Sequence, residues 1–200
     1  MLLTQYRIDL VVAGCDESGR GCLAGPVFAA AVILPPKFNH PLLNDSKQLS
    51  VCERELLKPY IEKHALCFSV ANSSSTRIDE INILNASFEA MHRAIDGLSI
   101  KPDLLLIDGN RFNPYNDIPF ECIVKGDCKF ASIAAASILA KVYRDAYMED
   151  LHAEFPIYSW NTNKGYPTEF HRTAIQNYGT TPQHRVSFRL FPSPEQPTLF

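Results

Sequence analysis

The chain has 200 residues, a formal net charge of −3 and 46% hydrophobic residues. That length suits a domain with its own core and excludes a scaffold that must be stapled by metal or disulfides, and the composition excludes disorder and fibre. The slight acidity argues against a dedicated nucleic-acid binder, so contact with phosphate would have to come from locally placed Lys and Arg.

The six cysteines, at positions 15, 22, 52, 67, 122 and 128, form no CxxC pair and no zinc-type spacing, and are read as small buried hydrophobes. The opening MLLTQYRIDL turns charged too early for a signal peptide. No apolar run reaches the roughly 20 residues of a membrane span. The expected setting is a reducing cytoplasm, with no membrane contact.

In chain order, residues 10–14 give the first strand signal, leading into CDESGRG. After Ala24-Gly25-Pro26, the run VFAAAVIL over 27–34 predicts a second strand, ended by Pro35-Pro36. The short gap between the two predicts an antiparallel hairpin. A polar loop follows over 44–49. Ser50 is then an N-cap, with Glu53 three residues on as in a capping box, and the helix should run to Lys63. Residues 65–71 predict a third strand. Over 78–98, Ile81, Leu84, Phe88, Met91 and Ile95 share one helical face. Pro102 breaks the chain before the apolar strand 104–107, which should be buried on both sides. Residues 120–124 predict another strand, 132–151 a buried Ala- and Ile-rich helix, and 168–178 a helix in an otherwise irregular tail. The order predicts a mixed sheet covered by helices, with the first three strands antiparallel and the later ones parallel to the first.

Asp16 and Glu17 follow the first predicted strand. Neighbouring strand residues point to opposite faces, so both can serve one site only where the strand ends or bends, and Gly14, Gly19 and Gly21 supply that freedom. Asp108 ends a buried strand, where ligands gather in open α/β sheets. Asp127 sits in a turn before the long helix. Together they could hold hard divalent cations, two of which about 4 Å apart would serve phosphodiester hydrolysis. The other reading is four ordinary turn and cap residues. The pattern alone leaves both open.

GCDESGRG (14–21), followed by Ala24-Gly25-Pro26, closely resembles the opening of ribonuclease HII, the type 2 ribonuclease H. The resemblance continues in order through LNDSKQLS (43–50), IDEINILNA (78–86), LLIDGN (105–110), KGD (125–127), SIAAASILAKVYRD (132–145), NKGYPT (163–168) with His171, and HRVSF (184–188). It is nearer the bacterial branch than the archaeal one. It implies an α/β fold, a ribonuclease H-like mixed five-stranded sheet flanked by helices. Residues 1–155 would form the catalytic domain and 156–200 a small helical extension packed on it, ending in a flexible tail. It implies a monomeric endonuclease acting on RNA–DNA hybrids and on ribonucleotides embedded in DNA, with Mg²⁺ or Mn²⁺, by a two-metal reaction leaving 5′-phosphate and 3′-hydroxyl ends.

The family's four carboxylates map onto Asp16, Glu17, Asp108 and Asp127. Its ribonucleotide sensor maps onto Gly19, Arg20, Gly21 and Tyr166, and its phosphate contacts onto Ser46 and Lys47. A Gly-rich loop lets backbone groups approach a 2′-hydroxyl, the group that separates RNA from DNA. Tyr166 could otherwise be a turn aromatic covering the core. Asp145 is read as an ion-pair partner rather than an outer metal residue, and His171 and His184 as structural. The ending Gln196-Pro197-Thr198-Leu199-Phe200 is similar to peptides that bind the bacterial sliding clamp through a Leu-Phe anchor, the other reading being a frayed terminus. Two further classes compete. A non-catalytic duplex binder should lose clustered acids that repel phosphate, and a metal-free glycosidase needs carboxylates set across a sugar ring rather than adjacent in sequence.

Overall fold

The computed structural model describes residues 2–4, 6–7, 9–43 and 49–191. The predicted phosphate contacts Ser46 and Lys47, and the QPTLF ending, lie outside the described residues.

Three strands form an antiparallel meander: β1 (Val12–Ser18), β2 (Val27–Ile33) and β3 (Cys67–Ser73). Two more, β4 (Leu104–Asp108) and β5 (Phe120–Ile123), join parallel to β1 on its other side. The sheet order is β3-β2-β1-β4-β5, the mixed arrangement the strand pattern predicts. Every residue of β2 is buried, because the strand is covered on both faces.

Helices α1 (Val51–His64), α2 (Ser75–Asp96) and α3 (Ala131–Glu154) flank the sheet, and the short α4 (Trp160–Asn163) and α5 (Glu169–Tyr178) follow. Alternation along the strands sorts the core into two layers. Ala13, Cys15, Ala29, Ala31, Leu105 and Ile107 pack with Phe88, Met91 and Ile95 of α2. Ala30 and Val32 pack with Leu57 and Ile61 of α1 and Ile138 and Leu139 of α3. Gly14 is forced on this second face, since a Cβ there would lie 2.3 Å from the Ser132 carbonyl carbon.

The capping box forms as predicted: the Glu53 amide donates to Ser50 Oγ at 3.3 Å, and the Ser50 amide to Glu53 Oε2 at 2.8 Å. Three expectations need correction. β1 runs four residues past Gly14, because β2 pairs with it as far as Ser18↔Phe28. Asp16 and Glu17 therefore lie inside the strand, not after it. α2 contains a break at Asn82, whose φ of 67° is left-handed; its Oδ1 accepts the amides of Leu84 and Asn85 and restarts the helix. The cysteines are all free, but Cys52 and Cys128 are exposed, so only Cys15, Cys22 and Cys67 behave as buried hydrophobes. Among the described residues no helix is long and apolar enough to cross a membrane.

The chain beyond α3 closes on the β1–β2 connection. Leu23 and Ala24 share a cluster with Met148 and Leu151 of α3, then Tyr158, Trp160, Ala174 and Ile175. Trp160 is fully buried there.

Candidate active site

The parallel register Cys15↔Ile107 brings the next residues side by side on two central strands, Asp16 inside β1 and Asp108 at the end of β4. Asp16 is 4% exposed. It faces α3, with a hydrogen bond to Ser137, and its Oδ1 accepts the Glu17 amide at 2.7 Å. Glu17 turns to the other face, into a cleft of about 280 Å³ that it lines with Asp108, Asn110, Arg111 and the α2 residues Leu84 and Phe88. Asp108 Oδ1 accepts the Gly126 amide at 2.7 Å, which ties the end of β4 to the 3-10 turn Gly126–Cys128. Asp127 is the next residue in that turn and is fully buried.

Three of these acids feel one another. Burial first, then repulsion from Glu17 and Asp108, pushes the Asp16 carboxyl well above the usual range. Glu17 is also raised, chiefly by burial, with Arg20 opposing through an ion pair at 3.0 Å. Among the described residues no three acidic, His or Cys side chains close into a ready cage for an ion. The donors are oxygen only, and their mutual repulsion is what a cation would relieve. That fits Mg²⁺-type binding, in which one or two carboxylates are completed by water and substrate phosphate, and it does not fit an all-protein cage.

Beyond β1 the Gly-rich loop sits between two later segments. Leu23 donates to the Gly165 carbonyl at 2.8 Å, Gly25 to Gln183 at 2.8 Å, and Arg185 back to Leu23 at 2.8 Å. Gly19 and Gly165 take left-handed φ values of 98° and 80°. At Gly165 a Cβ would meet the Ala24 carbonyl oxygen at 2.6 Å. Tyr166 is thereby delivered beside residues more than a hundred positions earlier. Its hydroxyl bonds to Cys22, its ring lies 5.8 Å from Lys141 Nζ and 6.0 Å from the Arg144 guanidinium, and it stays 40% exposed. Gly19, Arg20, Gly21 and Tyr166 thus share one neighbourhood, joined to the acids through the Arg20–Glu17 pair.

Asp145 pairs with Lys141 at 2.5 Å on α3. His171 and His184 lie buried in a ring network with Trp160. Sequence reasoning missed Arg144 and Arg185, both fully buried under the loop. An arginine inside the Ala-rich helix was the available signal for the first.

A family model described as Ribonuclease HII matches residues 13–191. Ribonuclease HII of Bacteroides thetaiotaomicron is 63% identical over 190 residues, covering 95% of each chain. Among solved structures, the ribonuclease H2 from Pyrococcus horikoshii superposes with a TM-score of 0.73 at 27% identity, over 90% of this chain and 94% of that one. The structure of the PCNA:RNase HII complex from Archaeoglobus fulgidus gives 0.72 at 26% identity, over 93% and 98%. The mixed sheet with its flanking helices is the ribonuclease H-like fold. The chain belongs to the ribonuclease HII family, endoribonucleases that hydrolyse the RNA strand of RNA–DNA hybrids.

Proposed function

We propose that this chain also incises DNA at embedded ribonucleotides, and that Asp16, Glu17, Asp108 and Asp127 carry the reaction with Mg²⁺ or Mn²⁺, leaving 5′-phosphate and 3′-hydroxyl ends. The observation that carries this reading is the contact between Tyr166 and the Gly-rich loop, one ion pair away from the buried acids. Two bound cations would supply an activated water and stabilise the leaving oxygen. Asp16, inside β1, and Asp108, at the end of β4 beside it, would hold them. Arg20 keeps the Glu17 carboxylate turned toward the cleft. Asp127, one residue past the amide that Asp108 grips, lends negative charge from the turn.

The loop and Tyr166 would choose the bond. Backbone groups at Gly19 and Gly21 can approach a 2′-hydroxyl without a side chain in the way. The exposed face of Tyr166 would stack on the neighbouring sugar and favour deoxyribose there. Ser46 and Lys47 would contact phosphate. Residues 156–200 act as an extension of the catalytic domain 1–155, since their first part carries Tyr166 to the loop. The ending Gln196–Phe200 would bind a sliding clamp; a relative in the same family has been solved in complex with PCNA, which supports a clamp partner. Six free cysteines suit a reducing cytoplasm, and we take the chain to act as a monomer.

The test is a DNA duplex with one ribonucleotide, incubated with Mg²⁺, with Mn²⁺ and with excess chelator. The expected result is one nick at the ribonucleotide, abolished by chelator. Cleavage of continuous hybrids without that nick would remove the embedded-ribonucleotide reading, and activity in chelator would remove the metal.

A further inference from the structure

Two guanidiniums lie fully buried beneath the Gly-rich loop, and among the described residues neither has a carboxylate at ion-pair distance. A buried cation is costly unless compensated, and apolar residues of similar volume often stabilise as well or better. Here the compensation comes from carbonyl oxygens. Arg144 donates from Nε to Pro26 at 3.1 Å, from Nη1 to Lys164 at 2.9 Å and from Nη2 to Ala24 at 3.2 Å. Arg185 donates from Nε and Nη2 to Gly25 at 2.9 and 2.8 Å, and from Nη1 to Arg20 at 3.0 Å. Burial lowers Arg185 only to about 10, so it is charged at neutral pH.

All six bonds end on the backbone of the loop or on the residue just before Gly165-Tyr166. Across a trans peptide the carbonyl and the following N–H point to opposite sides. Holding the Arg20 carbonyl inward on Arg185 therefore turns the Gly21 N–H outward. That amide has no hydrogen bond within the described chain, and nothing lies within 4 Å of where a Gly21 Cβ would be. Arg144 sets the other half. It packs directly on Gly19, whose Cβ would fall 2.0 Å from its Nε, and its bond to Lys164 fixes the distance from loop to Tyr166.

We propose that Arg144 and Arg185 are positioning residues for ribonucleotide selectivity: they hold the loop carbonyls inward, aim the Gly21 amide at the sugar of the substrate, and lock the loop to Tyr166. The inference rests on the reading of the loop and Tyr166 as the sensor of the 2′-hydroxyl. The planar fork sends donors from separated nitrogens in fixed directions, and a lysine keeps the charge on one compact nitrogen without that fork.

The test compares the parent with Arg144→Lys, Arg185→Lys and Tyr166→Ala. The first readout is the ratio of kcat/KM on a duplex with one ribonucleotide to kcat/KM on a continuous RNA–DNA hybrid. The second is the ratio of Kd for the all-DNA duplex to Kd for the one-ribonucleotide duplex, measured in chelator without turnover. Each Lys variant should lower both ratios by about tenfold, the scale of one well-aimed hydrogen bond, while activity on the continuous hybrid falls less. A merely structural role would lower both activities together and leave the ratios at the parent value, which overturns the inference. Loss of the folded state in both Lys variants overturns it too, since the guanidiniums would then serve the fold. If the parent shows no preference, or Tyr166→Ala keeps it, the sensor reading falls and takes this inference with it. If Tyr166→Ala loses the preference and the Lys variants keep it, this inference falls alone.

Discussion

Acidification should destabilise the protein through one buried ring. His184 is 2% exposed and packs against Tyr158 with ring centroids 4.8 Å apart. Its Nδ1 faces the Thr181 amide at 2.9 Å; an amide only donates, so the proton of the neutral ring sits on Nε2. That proton points at His171 Nε2, 3.3 Å away, which also receives the Trp160 indole N–H at 3.0 Å. His171 Nδ1 donates to the Tyr166 carbonyl at 2.9 Å. A second proton on either ring would meet another donor. Burial, then the neighbouring His171, lowers His184 from its ordinary 6.5 to about 4. The unfolded chain takes this proton near 6.5 and the folded chain only near 4. The stability is thus complete above about pH 6.5 and drains away as pH falls toward 4. At pH 5 the loss is about 2 kcal/mol, or about 4–8 °C in Tm for a chain of this length. His184→Asn keeps an oxygen near the Nδ1 position but cannot titrate. It should melt below the parent at pH 7.5, and the gap should narrow by about 4–8 °C by pH 5. Melts followed by circular dichroism at half-unit steps would check this, and parallel curves for the two proteins would refute the argument.

Three other outcomes follow from the site and its supports. Asp16→Asn and Asp108→Asn should each lower metal-dependent turnover by more than about a hundredfold, since even groups behind a metal ligand cost 10–100-fold. The fold should survive, because the side-chain amide introduced by Asp108→Asn still offers an oxygen to the Gly126 N–H; activity assays beside thermal melts decide it, and near-parent activity would mean the acids are misassigned. Gly165→Ala should cost about 1–3 kcal/mol in urea unfolding, from its φ of 80° and the clash with the Ala24 carbonyl, and should weaken the preference for the one-ribonucleotide duplex. Asp79→Ala should cost about 2 kcal/mol in the same unfolding assay, because Asp79 accepts the amides of Val186 and Ser187 at 3.0 and 2.9 Å and pins the segment that carries Arg185.

Much of the scaffold is legible from pattern because its causes are local. The apolar run of β2, the capping box of α1 and the helix expected over 168–178 each depend on residues within a few positions, and each forms. The strand order follows from connection lengths. The left-handed break at Asn82 was not legible, since helical periodicity continues on both sides of it and only the Asn side chain marks the place. Nor was the length of β1. Polar DES reads as the end of a strand, yet seven residues of β2 were available to pair, and ladder hydrogen bonds outweighed composition.

The extension of β1 changes what the acidic pair means. Adjacent acids at a loose strand end would converge on one point. Inside a strand they diverge, Asp16 toward α3 and Glu17 into the cleft beside α2, and both remain within the field of Asp108. The central strand itself then separates the two carboxylates onto opposite faces of the sheet, an arrangement unlike a single tight cage. The buried arginines under the loop are equally nonlocal. Arg144 meets carbonyls 118 and 120 residues earlier, so no window of sequence contains both partners. A net charge of −3 conceals this arrangement of acids on the central strands and two guanidiniums under the adjoining loop. Local placement outweighs the net charge here, because exposed charges far apart are largely screened by salt while buried ones are screened much less.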